Sequence, residues 1–156
     1  MNMVMNRFEQ FSFKKVFVAL IMTALVFALV APFSAKAAAA ADGTYNVDYT
    51  VLKDQTNETS RLDSYLTKPA QVTVANGKNV VRLTVKSSNL ITTFKVEQNG
   101  VLQDATVVST DTASNTRVVE FEVADLNAKV NAYAEITIPV IGYTGKYDVQ
   151  LQFDEI

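Results

Sequence analysis

The chain has 156 residues, enough for one ordinary domain, with 14 Lys and Arg against 16 Asp and Glu and with no His, Cys or Trp. That composition excludes Ser-His-Asp and Cys-His catalysis, zinc and copper sites built on imidazole or thiolate, disulfides, and a lipid anchor on an N-terminal Cys.

The first 13 residues form a loose leader containing Arg7, and Lys14 and Lys15 follow it. Residues 16–30 are an apolar run of 15, short of the roughly 20 that a bilayer crossing needs. The run ends at Ala31-Pro32 and a small-residue stretch containing Ala35-Lys36-Ala37. A basic start, an apolar middle and an A-x-A site are the marks of a secretory signal peptide, expected at 1–37 and cleaved after Ala37 or within a few alanines of it. The leader holds all four Met, six of the nine Phe, four basic residues and one acidic residue. The remainder therefore has ten basic against fifteen acidic side chains, a net charge of −5. With no basic stripe to neutralise phosphates, nucleic acid is not an expected partner. No apolar tail follows Phe153, so the processed protein is expected outside the cell, secreted and not inserted in a membrane.

Residues 38–42 read as a small-residue linker and 43–156 as the domain. Tyr45, Val47, Tyr49 and Val51 alternate with Asn46, Asp48 and Thr50, the pattern of one half-buried strand. Residues 60–66 fit a short helical turn capped by Thr59 or Ser60 and stopped before Pro69. Strands follow at 70–75, around Val81, Leu83 and Val85, at 91–96, at 105–108, at 118–123 and at 130–140. Asn76-Gly77 and Asn99-Gly100 mark tight turns, and residues 111–115 a polar loop. Tyr147, Val149, Leu151 and Phe153 close the chain in alternation. The expectation is an all-β, immunoglobulin-like β-sandwich of seven to eight strands with one short helix between the first two.

Tyr143 and Tyr147 stand four residues apart around Gly145. A turn over 144–146, or over Gly145-Lys146, would bring them within reach across a hairpin, with Gly145 supplying a positive φ. Beyond the leader, Tyr is the only remaining residue type among the usual protein ligands of haem iron. A free phenol has a pKa of about 10. Bonding to Fe(III) favours its phenolate, and a second phenol donating to that oxygen would hold its charge and orientation. Tyrosines also commonly flank β-turns and pack at sheet edges, so the spacing alone does not decide between the two readings.

From Ala41-Asp42-Gly43-Thr44-Tyr45 to Gln152-Phe153-Asp154, the chain resembles a NEAT (near-transporter) domain, the haem-binding module of Gram-positive haem-uptake systems. The matching pieces include Tyr65-Leu66-Thr67-Lys68-Pro69-Ala70, Val74-Ala75-Asn76-Gly77-Lys78, Ile91-Thr92-Thr93-Phe94-Lys95-Val96, Thr116-Arg117-Val118-Val119-Glu120-Phe121, Ile136-Thr137-Ile138-Pro139 and the Tyr143/Tyr147 pair. The resemblance implies ferric haem b as cofactor, Tyr143 as iron ligand and Tyr147 as its hydrogen-bond partner. It implies a short helix folded over the other haem face, with Ser60 on a propionate and Tyr65 closing the S-x-x-x-x-Y segment. Ile136 and Ile138 match the residues that line the pocket floor. Arg61 stands where relatives often carry an apolar residue and could pair with a propionate. Leu90 stands where relatives often carry Trp.

The implied function is that of a haemophore, non-enzymatic, taking haem from host haemoproteins or the medium and passing it to cell-wall NEAT proteins. The alternatives are a haemoglobin-binding module and an adhesive β-sandwich without haem. The haemoglobin-binding use relies on an aromatic-rich helical segment, and residues 57–66 hold one aromatic, Tyr65.

Overall fold

The computed structural model describes residues 40–156, so the expected signal peptide at 1–37 lies outside the described residues. Ten strands form two five-stranded antiparallel sheets. They are β1 (Gly43–Val47), β2 (Tyr49–Lys53), β3 (Ala70–Ala75), β4 (Lys78–Lys86), β5 (Ile91–Gln98), β6 (Val101–Asp104), β7 (Thr106–Asp111), β8 (Thr116–Val123), β9 (Val130–Ile138) and β10 (Tyr143–Phe153). One sheet runs β1-β3-β4-β8-β7 and the other β2-β10-β9-β5-β6. Two short 3₁₀ helices, Arg61–Tyr65 and Pro139–Ile141, complete the regular structure. No helix among the described residues is long and apolar enough to cross a membrane.

The all-β, two-sheet architecture is the expected one, but the strand count and the helix position differ. The alternating stretch around Tyr45 to Val51 is two strands in two sheets. Val47 pairs with Ala70 in the first sheet, and Tyr49 pairs with Phe153 in the second. The chain crosses at Asp48, whose carbonyl accepts from the Asp154 N–H at 2.9 Å. Val47, Tyr49 and Val51 all stay buried through the crossing, so the period-2 pattern carries no trace of it. The helix consequently follows the second strand. On the opposite side, β6 and β7 make the same move around Ala105, whose N–H donates to the Phe94 carbonyl at 3.1 Å. Every residue of β6 and β7 is exposed, so neither shows a buried alternation; β7 begins within the strand expected at 105–108 and β6 is additional to those expected.

The Asn-Gly turns behave as their residues require. Asn76 and Gly77 have φ of 52° and 74°, and Asn99 and Gly100 have 54° and 78°. Positive φ at both central positions is the primed turn whose twist matches the flanking strands. The core between the sheets is aliphatic, with Val51, Val72, Val81, Val85, Val96 and Leu151 essentially inaccessible. Each such side chain contributes about 1.5–3 kcal/mol by leaving water. Tyr49 is buried against Phe153, and its hydroxyl donates to the Thr67 carbonyl at 2.9 Å.

Candidate functional site

The second sheet carries the site. Antiparallel partners point to the same face, and β9 and β10 pair Val149 with Ala132, Tyr147 with Ala134, Gly145 with Ile136 and Tyr143 with Ile138. Phe153, Leu151, Val149, Tyr147, Gly145 and Tyr143 thus form one inward-facing row. The row is buried from Phe153 to Val149, becomes half-buried at Tyr147, and ends at Tyr143 with 44% of its surface exposed. The inner face of the sheet runs out of the core here and continues as a ledge. Val140 and Ile141, in the turn before β10, are 94% and 70% exposed and extend its apolar surface.

The expected hairpin through Gly145 is corrected by this register. The turn lies earlier, at Pro139–Ile141, and Gly142 closes it in the left-handed conformation at φ 62°, ψ 29°. Pro139 has no N–H to donate to the ladder, so β9 stops at Ile138 instead of running to Val140. Tyr143 and Tyr147 are therefore on one strand, not across a turn, and Gly145 lies within that strand between them. They still approach each other: their hydroxyl oxygens are 3.4 Å apart, a contact longer than the usual O–H···O bond. The Tyr147 phenol is held above its ordinary value, first by this hydrogen bond and then by partial burial. Tyr147 is thus suited to keep its proton, and either hydroxyl of the pair can be the donor.

The Arg61–Tyr65 helix is placed by three fixed points. Ser60 is the N-cap, 5% exposed, and its Oγ accepts from the Leu62 N–H at 3.3 Å. The helix had two candidate caps in the sequence, Thr59 and Ser60, and Ser60 fills the role. Leu62 is fully buried. Asp63 Oδ1 accepts the Val51 N–H at 2.9 Å, and its carboxylate also pairs with Lys68. The exposed Arg61 and the half-buried Tyr65 are left to face outward. Both act on the Tyr147 phenol, the Arg61 guanidinium lowering its pKa and the Tyr65 ring oxygen raising it. The helix therefore stands within electrostatic reach of the tyrosine pair.

Ile138 is half-buried beside Tyr143, whereas Ile136 is buried in the core directly opposite Gly145. Leu90 packs on the core's margin, and its carbonyl accepts the Thr137 N–H at 2.8 Å, tying the start of β5 to the end of β9. The exposed pair Val140 and Ile141 was not visible as part of a site, because both continue an alternating apolar run. Their only signal was the Pro139 that precedes them. A separate hollow of about 380 Å³ lies on the outer face of the same sheet, lined by Asp54, Glu97, Asp148 and neighbouring amides. Its charged side chains are all acidic, Leu102 and Val149 add apolar lining, and it faces away from the tyrosine row. Among the described residues no group of His, Cys, Asp or Glu could hold a metal ion. The oxygen donors on offer at the ledge are phenols, hard ligands that suit a trivalent iron centre.

Residues 38–155 match the NEAT family, described as the iron transport-associated domain. The chain is 42% identical over 120 residues to hemin/hemoglobin-binding protein 1 of Listeria monocytogenes, covering 76% of this chain and 56% of that protein. It is 38% identical over 115 residues to hemin/hemoglobin-binding protein 2 of the same species, covering 72% of this chain and 20% of that one. Over 136 residues it is 38% identical to iron-regulated surface determinant protein C of Staphylococcus aureus, covering 86% of this chain and 56% of that protein. The chain thus spans between a fifth and just over half of the length of these curated relatives. Among solved structures it superimposes on the NEAT5 domain of IsdX2, a B. anthracis hemophore in complex with heme. The TM-score is 0.72 and the identity 48%, over 74% of this chain and all of that one. With the two-sheet fold and the tyrosine ledge, these matches establish that the chain belongs to the NEAT family.

Proposed function

We propose that this protein is a secreted haemophore. It binds ferric haem b as cargo through the Tyr143 phenolate and hands it on to other NEAT proteins of a Gram-positive cell wall. Host haemoproteins are the proposed donors. The observation that carries the reading is the Tyr143/Tyr147 pair at the open end of the inward-facing row. An exposed phenol stands there with a second phenol oxygen 3.4 Å away and with the exposed apolar Val140 and Ile141 in the turn before it. The solved NEAT5 structure with heme and the hemin-binding relatives support haem as the ligand class.

The residues fit an iron porphyrin. Tyr143 would supply the oxygen that holds the iron, and Tyr147 would steady its charge. Ile138, Val140 and Ile141 offer apolar surface to the macrocycle, with Ile136 supporting the floor from beneath. Ser60 and Arg61, at the start of the 3₁₀ helix, serve the propionates, Arg61 as a charge-assisted donor. The iron supplies the Lewis acidity that favours the phenolate, and the polypeptide positions, shields and releases. No bond-breaking role is proposed. The exposure of Tyr143 favours transfer by direct contact with a partner.

The test is a haemin titration followed by absorbance, with wild type beside Tyr143→Phe. Wild type should bind one haemin with a high-spin ferric phenolate spectrum. The variant should bind more than about 100-fold more weakly, beyond what loss of a supporting contact costs. Equal binding by both proteins would remove Tyr143 as ligand. Absence of binding by wild type would favour the haemoglobin-binding or adhesive reading instead.

A further inference from the structure

Four residues of extended strand span about 13 Å. Two tyrosines separated by that distance on one face do not bring their hydroxyls together unless both side chains lean toward the midpoint. The midpoint is Gly145, which is buried and extended, with no positive φ to call for glycine. What calls for glycine is space. A Cβ at residue 145 would lie 2.6 Å from the Tyr143 hydroxyl oxygen, 2.8 Å from Tyr147 Cε2 and 2.9 Å from the Tyr147 hydroxyl oxygen. All three are closer than a real Cβ tolerates, and they come from both rings at once. Ile136, the cross-strand partner of Gly145, is buried on the same face beside it.

We infer that Gly145 is a positioning residue for the iron site: its missing side chain is the notch over which Tyr143 and Tyr147 converge. The inference rests on Tyr143 as the iron ligand. It deepens that reading by saying what sets the strength of the ligand. Any residue other than glycine at this position would keep both tyrosines yet separate their oxygens. The spacing of four, with the central residue free of a side chain, then becomes one device instead of two independent features.

The experiment compares wild type, Gly145→Ala, Tyr147→Phe and the combined Tyr143→Phe/Gly145→Ala variant. In the haem-free protein, proton NMR should show a cross-peak between the ring ε protons of Tyr143 and Tyr147, lost in Gly145→Ala. In the haemin complex, Gly145→Ala should shift the phenolate-to-iron charge-transfer band in the same direction as Tyr147→Phe and weaken binding about tenfold. An unchanged cross-peak together with an unchanged band would overturn the inference while leaving Tyr143 as ligand. A lost cross-peak in a protein whose wild type takes no haemin would sink the ligand reading and leave the notch standing. If Gly145→Ala does not fold, deleting the Tyr143 hydroxyl removes its nearest obstacle. Recovery of folding in the combined variant supports the inference, and equal failure of both variants refutes it.

Discussion

Along β10, Val149, Leu151 and Phe153 are buried in the core, while Tyr143 and Tyr147, on the same face of the same strand, reach the surface. Nothing in the backbone separates the two halves, since both pair in register with β9. The difference lies in what covers them. One half is sealed inside the sandwich. The other looks toward a five-residue helix that stands near without closing over it. One alternation serves stability where it is covered and, under the proposed function, ligand binding where it is not. The aliphatic half should govern folding, and the tyrosine half should govern haemin affinity.

The strongest way to break that division is Leu151→Ala. Leu151 is fully buried, and its loss should cost about 2–5 kcal/mol in urea unfolding. The fraction that remains folded should still bind haemin with wild-type affinity, and a large fall in intrinsic affinity would merge the two halves.

A second probe uses pH. Burial, then the nearby Asp63 and Asp48 carboxylates, raise the Tyr49 phenol above its ordinary value. A raised value means that the fold keeps a proton which the unfolded chain releases above about pH 10. The stabilisation is therefore complete below that pH and is lost as pH climbs through the raised value in the fold. At pH 11 the loss should reach at most about 1.4 kcal/mol relative to neutral pH. Urea unfolding at pH 8 and pH 11 should show this decline in wild type and a shallower one in Tyr49→Phe.

Ser60→Ala removes a cap and should lower stability by about 1 kcal/mol. Because Ser60 is also assigned to a propionate, haemin affinity should fall by at most about tenfold. Loss of stability with unchanged affinity would confine Ser60 to capping. The smallest expected change is the effect of Tyr143→Phe on unfolding. It should lie within about 0.5 kcal/mol, because the removed hydroxyl is on an exposed side chain. The substitution expected to weaken haemin binding most should barely touch the fold, and a larger loss of stability would show the ledge to be structural.

Much of the fold was legible in the residues. The Asn-Gly pairs announced their turns because few other residues accept positive φ at two successive positions. Ser60 was one of two caps in view, and the inward rows of β4 and of the second half of β10 alternate as read. The strand crossing at Asp48 was not legible, because a strand that changes sheets keeps its inward parity. Of the β6–β7 arm only the start of β7 was read as strand; β6 was missed, since a wholly exposed strand shows no parity at all. At the site, Gly145 was expected to supply the positive φ of a turn, and it lies instead in extended strand. Glycine is needed both where φ is positive and where a Cβ has no room, and a sequence does not distinguish these needs. Here Gly142 meets the first and Gly145 the second.

The amino-acid sequence by itself determined the strand periodicity, the tight turns, the absence of imidazole and thiolate, and hence the phenol as the one conventional haem-iron donor beyond the leader. Those properties are local, set by residue type and by φ preferences within a few positions. Only the tertiary structure decided that the β9–β10 turn falls at Pro139–Ile141, that both tyrosines share one strand, and that their oxygens meet over Gly145. It also decided where the inward row stops being covered, through the reach of the opposite sheet and the placing of the 3₁₀ helix by Leu62 and Asp63. Burial is a relation between distant segments, and a period of two is the same whether or not anything lies across from it.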